Sequence, residues 1–167
     1  MDDDDPMELI YLTESDADEA SAFVHDMWVD TYAPIVKGGR QHAEDIFDDW
    51  VGPRKIVSDM RRGHFFAYLV IDGKNIGLIS AGKEEDDLEI SKIYILPKYR
   101  GSGIGREALE FLLDKGRELG CKRAHLEVNH DNASAIGFYE RFGFRPVSKN
   151  VYEHSYTLIM AVELRPP

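Results

Sequence analysis

The chain has 167 residues, 43% hydrophobic and 31% charged, which suits one globular domain with a full core. A single cysteine, Cys121, excludes a disulfide framework and a cysteine-rich zinc site. The net charge of −11 argues against a nucleic-acid surface, and no apolar run approaches the roughly 18 to 20 residues of a membrane span, so a cytoplasmic protein is expected.

The Asp2–Asp5 run opens the chain, so residues 1–6 are expected to be a disordered acidic extension and 7–167 a single domain. Glu8–Leu12 reads as a short strand. Asp16 or Asp18 then caps a helix to about Asp30, with Ala20, Phe23, Val24, Met27 and Trp28 on one face. Gly38-Gly39 breaks the chain before a helical stretch over Gln41–Trp50, and Gly52-Pro53 restarts a third that ends near Gly63. Phe65–Ile71 and Ile76–Ala81 are apolar runs joined by Asp72-Gly73-Lys74-Asn75, a hairpin signal. The acidic turn Glu84–Asp87 leads into a strand over Leu88–Ile95. A helix follows from about Gly103 to Leu119 with Leu109, Leu112 and Leu113 in register, then a strand over Ala124–Asn129. Asn132 caps a helix from Ala133 to Phe142, Gly143 stops it, and Val151–Leu164 holds the last strand material. The expected fold class is α/β, an α+β mixed sheet: an antiparallel meander followed by β-α-β-α-β, with 88–129 as one right-handed crossover.

Between strand and helix lies Arg100-Gly101-Ser102-Gly103-Ile104-Gly105-Arg106. Backbone N–H groups at a helix N-terminus favour an anion, and glycine lets a ligand approach closely. A P-loop would need Lys-Ser/Thr after its last glycine, and a dinucleotide fingerprint is spoiled by Arg106, or by Ala108 in the shifted register. A pyrophosphate remains the natural guest. Charge agrees: residues 1–91 carry 8 Lys and Arg against 22 Asp and Glu, whereas 92–123 carry 8 against 4.

Arg100-x-x-Gly103-x-Gly105 resembles the Arg/Gln-x-x-Gly-x-Gly/Ala signature of the GNAT superfamily of N-acetyltransferases, and Ile93–Tyr99 resembles its preceding strand and loop. Asn132-x-x-Ala135-Ile136-x-x-Tyr139-Glu140-x-x-Gly143-Phe144 is similar to its second motif. The resemblance implies the acyl-CoA N-acyltransferase fold and direct acetyl transfer from acetyl-CoA to a primary amine, with no metal. It places the cosubstrate on the main chain of Ile93, Tyr94 and Ile95, on the loop from Arg100 through Gly101, Ser102, Gly103, Ile104 and Gly105 to Arg106, and at Asn132. Tyr139 stands at the proton donor's position. Glu89, 11 residues before Arg100, has the spacing of a catalytic glutamate in histone-type members. By period two it shares a face with Ser91, Ile93 and Ile95; a solvated carboxylate, or a water chain as base, is the competing reading.

His64, His125, His130 and His154 show no metal spacing and read as ordinary histidines. Trp28 and Tyr32, a pair like that of polyamine acetyltransferases, are candidates to line the acceptor site, together with Tyr152 and Tyr156. The expected partner is a small amine, with a polyamine as the sharper expectation and a homodimer left open. Acetylation of protein N-termini or lysines, and a non-catalytic acyl-CoA-binding module, are the rival readings.

Overall fold

The computed structural model describes residues 6–153 and 155–165, so the expected acidic extension, apart from Pro6, and His154 lie outside the described residues. In chain order the elements are β1 (Glu8–Tyr11), α1 (Ala17–Tyr32), α2 (Gly39–Val51), α3 (Pro53–Arg61), β2 (Phe65–Ile71), β3 (Lys74–Glu84), β4 (Asp87–Ile95), α4 (Ile104–Glu118), β5 (Arg123–Asn129), α5 (Ala133–Arg141), β6 (Arg145–Val151) and β7 (Tyr156–Glu163). The strands form one seven-stranded sheet in the order β1-β2-β3-β4-β5-β7-β6. Neighbours are antiparallel except β4 and β5, which α4 connects as a parallel pair. No helix among the described residues is long and apolar enough to cross a membrane.

Each face of the sheet carries its own core. On one, α4 presents Ile104, Ala108, Leu109, Leu112 and Leu113 at helical spacing, and α5 adds Ile136, Phe138 and Tyr139. Gly116 lets α4 settle onto β4: a Cβ there would lie 2.8 Å from the Leu164 side chain and 3.3 Å from Leu88. On the other face, Val24, Met27 and Trp28 of α1 pack with Phe47, Ile56 and Phe66. Covered on both sides, β2 is a continuous apolar run rather than an alternating one.

Two expectations are corrected. The segment after α5 is a hairpin of two strands, so the expected β-α-β-α-β ends in an additional strand, β6. All seven residues of β6 are exposed, so no buried stripe marks it in the sequence, and Pro146 disguises it further. The second correction concerns β4. Ser80 pairs with Lys92 but Ala81 with Ile90, so Ser91 bulges out and the alternation reverses there. Ile93 and Ile95 therefore face α4, whereas Glu89 shares the opposite face with Lys92 and Tyr94 rather than with Ile93 and Ile95.

Phe144, fully buried where α5 returns to the sheet, should cost about 3–5 kcal/mol when replaced by alanine. Val151→Ala, at a position 73% exposed, should stay within about 0.5 kcal/mol. Chemical denaturation of the two variants checks both.

Candidate active site

The site begins where two neighbouring strands part. β4 pairs with β5 only from Asp87–Arg123 to Ile90–Leu126, while β4 continues along β3 to Ile95 and β5 continues along β7 to Asn129. From Ser91 onward β4 thus has a strand on one side only, and the other side carries backbone donors and acceptors open to an added extended chain.

At the end of this strip lies the glycine loop. Gly101 and Gly103 have φ of 79° and 88°, the left-handed region, and Gly103 is the N-cap of α4. Among the described residues, the amides of Ser102 to Arg106 donate no hydrogen bond of normal geometry within the chain. They converge at the positive end of a 15-residue helix. Ser102 Oγ donates to Tyr99 O at 2.6 Å and Arg100 Nε to Ile95 O at 3.0 Å, which fixes the loop against β4. Arg106 pairs with Glu110 at 3.1 Å. Strip and loop together fit an arm with amide groups that ends in a pyrophosphate, as in coenzyme A.

Asn132 caps α5 as expected, its side chain accepting from Ala135 N at 3.3 Å. On that helix Tyr139 packs between Phe138 and Phe144, at ring distances of 5.4 and 5.7 Å. Burial, with Tyr32 as a second contribution, pushes its phenol well above the usual tyrosine range. Tyr94, pushed up by burial and then by Tyr32 and Tyr139, completes a group of three phenols. Tyr139 packs on the α4 face and Tyr32 on the α1 face.

On the α1 face the gap opens into a cavity of about 630 Å³. Trp28 and Tyr32, ring centroids 4.6 Å apart, line it from α1, although Trp28 is only 4% exposed and is also core. Trp50 and Tyr152 face each other at 6.2 Å, both exposed. Tyr156 does not line the cavity; it stacks on His130 at 3.9 Å.

Of the glutamates lining this cavity, Glu89 and Glu127 are held in different ways. Glu89 is ion-paired to Arg62 at 3.0 Å and approached by His125 at 3.7 Å. His125, then Glu84 and Arg62, hold its carboxyl well below the usual range against the opposing effect of burial. Glu89, expected as a base, is thus held as an ion-pair partner of Arg62 beside His125. Glu127, which sequence reasoning passed over, is bonded by neutral donors: Tyr152 at 2.8 Å, Asn150 at 3.2 Å, and the Thr157 hydroxyl. Its charge reaches Tyr32, whose phenol burial and then Glu127 push up. The signal for Glu127 was the alternation of β5, where Ala124, Leu126 and Val128 are buried and His125 and Glu127 are not.

The acetyltransferase (GNAT) family matches residues 21–144, and the chain belongs to that family. An uncharacterized N-acetyltransferase from Lactobacillus delbrueckii subsp. lactis is 27% identical over 158 residues, 87% of this chain and 88% of that protein. A putative ribosomal protein bS18-alanine N-acetyltransferase of Bacillus subtilis is 36% identical over 89 residues, 51% of this chain and 59% of that protein. The crystal structure of the PaiA N-acetyltransferase of Thermoplasma acidophilum in complex with coenzyme A has the same fold, with a TM-score of 0.79 at 20% identity, covering 95% of this chain and 99% of that one.

Gly103→Val forces a β-branched residue to a φ of 88° and should raise the Kd for acetyl-CoA by at least about tenfold, read by calorimetry. Arg106→Glu should weaken binding less, and more at low salt.

Proposed function

We propose that this chain transfers an acetyl group directly from acetyl-CoA to a primary amine held in the cavity. The observation that carries this reading is the gap between β4 and β5. It joins a single-sided strand and an amide-lined loop on one side to an aromatic and acidic cavity on the other. The backbone N–H near Ile93 is the donor for the thioester carbonyl, and residues 93–95 with 100–106 orient the arm. In the transfer the C–N bond forms and the C–S bond breaks. Tyr139, kept protonated by its burial, supplies the proton to the departing thiolate.

The acceptor arrives as an ammonium. At pH 7 an amine with a pKa near 10.4 has under about one molecule in a thousand as free base. Glu127 is the base we assign, directly or through water. Its three neutral donors orient the carboxylate, whereas Glu89 is committed to Arg62 and His125. A small cationic amine is the acceptor we favour, because Glu127 sits beside Tyr32 and Tyr152, whose rings suit a cation. A polyamine meets that description. Acetylation of a protein N-terminus is the second reading, favoured by the similarity to a bS18-alanine acetyltransferase over 89 residues.

Tyr139→Phe should keep acetyl-CoA affinity and lower kcat by roughly 10²-fold or more. Glu127→Gln should lower kcat/KM most at low pH, where the amine proton is hardest to remove, and Glu89→Gln should lower it less. Release of free coenzyme A thiol with spermidine, a neutral-bodied monoamine and an alanyl peptide separates the acceptor readings. Turnover of the peptide alone would replace the small-amine reading, and turnover of none would leave an acyl-CoA-binding module.

A further inference from the structure

Beside the acceptor cavity lies a cluster that acetyl transfer does not use. His64, at the start of the hairpin, is fully buried in its side chain, and its Nε2 has no hydrogen-bond partner among the described residues. That atom points between two carboxylates, 3.4 Å from Glu84 Oε1 and 3.7 Å from Glu89 Oε1. The other ring nitrogen has a partner of its own. His64 Nδ1 lies 2.9 Å from Ser91 Oγ; in the tautomer where Nδ1–H donates to that oxygen and the hydroxyl turns to Ser80 at 3.5 Å, Nε2 presents its lone pair to the acids. Across the cluster, His125 turns its Nε2 to Glu89 Oε2 at 3.7 Å, while Asp87 accepts from its Nδ1 at 2.9 Å. Both imidazoles are oriented from behind by an oxygen partner, the arrangement found around metal-bound histidines.

We propose that His64, Glu84 and Glu89, with His125 as fourth ligand, bind a divalent cation of the zinc class. The spacing suits it. Bonds of about 2.0–2.1 Å in a tetrahedron put ligand atoms about 3.3–3.4 Å apart. His64 Nε2 lies 3.4 Å from Glu84 Oε1 and 3.7 Å from Glu89 Oε1, and ligand atoms of these three residues lie within 4.8 Å of one another. His125 Nε2, 3.7 Å from the other Glu89 oxygen, turns in to close the fourth corner. Two imidazole nitrogens and two carboxylates are a donor set for zinc rather than for calcium or magnesium. Two carboxylates also neutralise the ion. Without the ion, Arg62 bridges Glu84 and Glu89. The metal displaces it from both, and the guanidinium keeps its bond to Asp59 at 2.9 Å. The ligands come from β3, β4, β5 and the residue before β2, so no sequence spacing reveals them.

The test is calorimetric titration of chelator-treated, tag-free protein with zinc chloride. One zinc should bind per chain. Glu84→Gln and His125→Ala should each raise Kd by at least about tenfold, and Asp87→Asn by roughly ten- to a hundredfold through His125. Arg62→Ala should tighten binding, because the competitor is gone. His25→Ala, which removes a surface imidazole already paired with Asp26 and Glu44, should change nothing. Imidazole NMR signals of His64 and His125 should shift with zinc while that of His25 stays. Since His64→Ala empties a buried position, the variants at Glu84 and His125 carry the test. No saturable binding at high micromolar zinc, affinity unchanged in Glu84→Gln and His125→Ala, or loss of binding with His25→Ala would each overturn the proposal.

Discussion

The parting of β4 from β5 after Ile90 and Leu126 is the constraint on which the rest of this molecule depends. A strand inside a sheet that stops pairing on one side leaves backbone groups that must find a partner. The Ser91 bulge sits at the point of parting and bends β4 away. Neighbouring elements then hold the opening. β3 pairs with β4 to its end and β7 pairs with β5 to its end, so neither strand can swing back without breaking a complete ladder. An open slot in the middle of a sheet thus becomes a rigid feature.

The two cores divide the work across that slot. On the α4 face lie the helix N-terminus, the left-handed glycines and the capped α5 that carries Tyr139. On the α1 face, aromatic rings and carboxylates wall a cavity. Tyr139 and Tyr32 belong to different faces, on either side of the parted strands. Asp59, 1% exposed, ties α3 to this frame. Burial disfavours its charge, but hydrogen bonds from Lys55 and Arg62 and the charge of Lys92 hold its carboxyl below the usual range. A carboxylate lowered in the folded state stabilises it above the unfolded pKa, and that contribution is lost as pH falls through the folded value.

Much of this was legible in the sequence, because glycine conformation and helix caps are local properties. Gly103 marks the start of α4, and Asn132 caps α5 where its spacing to the following helix requires. The faces of β4 were not legible. A one-residue bulge reverses every side chain beyond it, and Ser91 carries no local mark of a bulge. Period two therefore placed Glu89 with Ile93 and Ile95, although it faces the cavity with Lys92. β6 was missed because an edge strand with no buried residue has no apolar stripe. Glu127 is a different case, since β5 alternates cleanly and its exposed face could have been examined residue by residue.

Charge separates what acts at long range from what acts at contact. Residues 1–91 hold 22 acidic against 8 basic side chains, a field that draws cations toward this half over about one screening length, near 8–10 Å in ordinary salt. The cavity itself does not share that excess. Lys37, Lys55, Arg62 and Lys92 line it as well as Asp59, Glu89, Glu127 and Glu153. Most of these are paired with one another: Asp59 meets Lys55, Arg62 and Lys92, and Arg62 also meets Glu89. Net acidity can therefore raise the rate at which a cation arrives without deciding which cation is held. Glu127, by contrast, takes its hydrogen bonds from the neutral groups of Asn150, Tyr152 and Thr157. In the proposed reaction, steering falls to the whole acidic half, and selection to Glu127 and the rings around it.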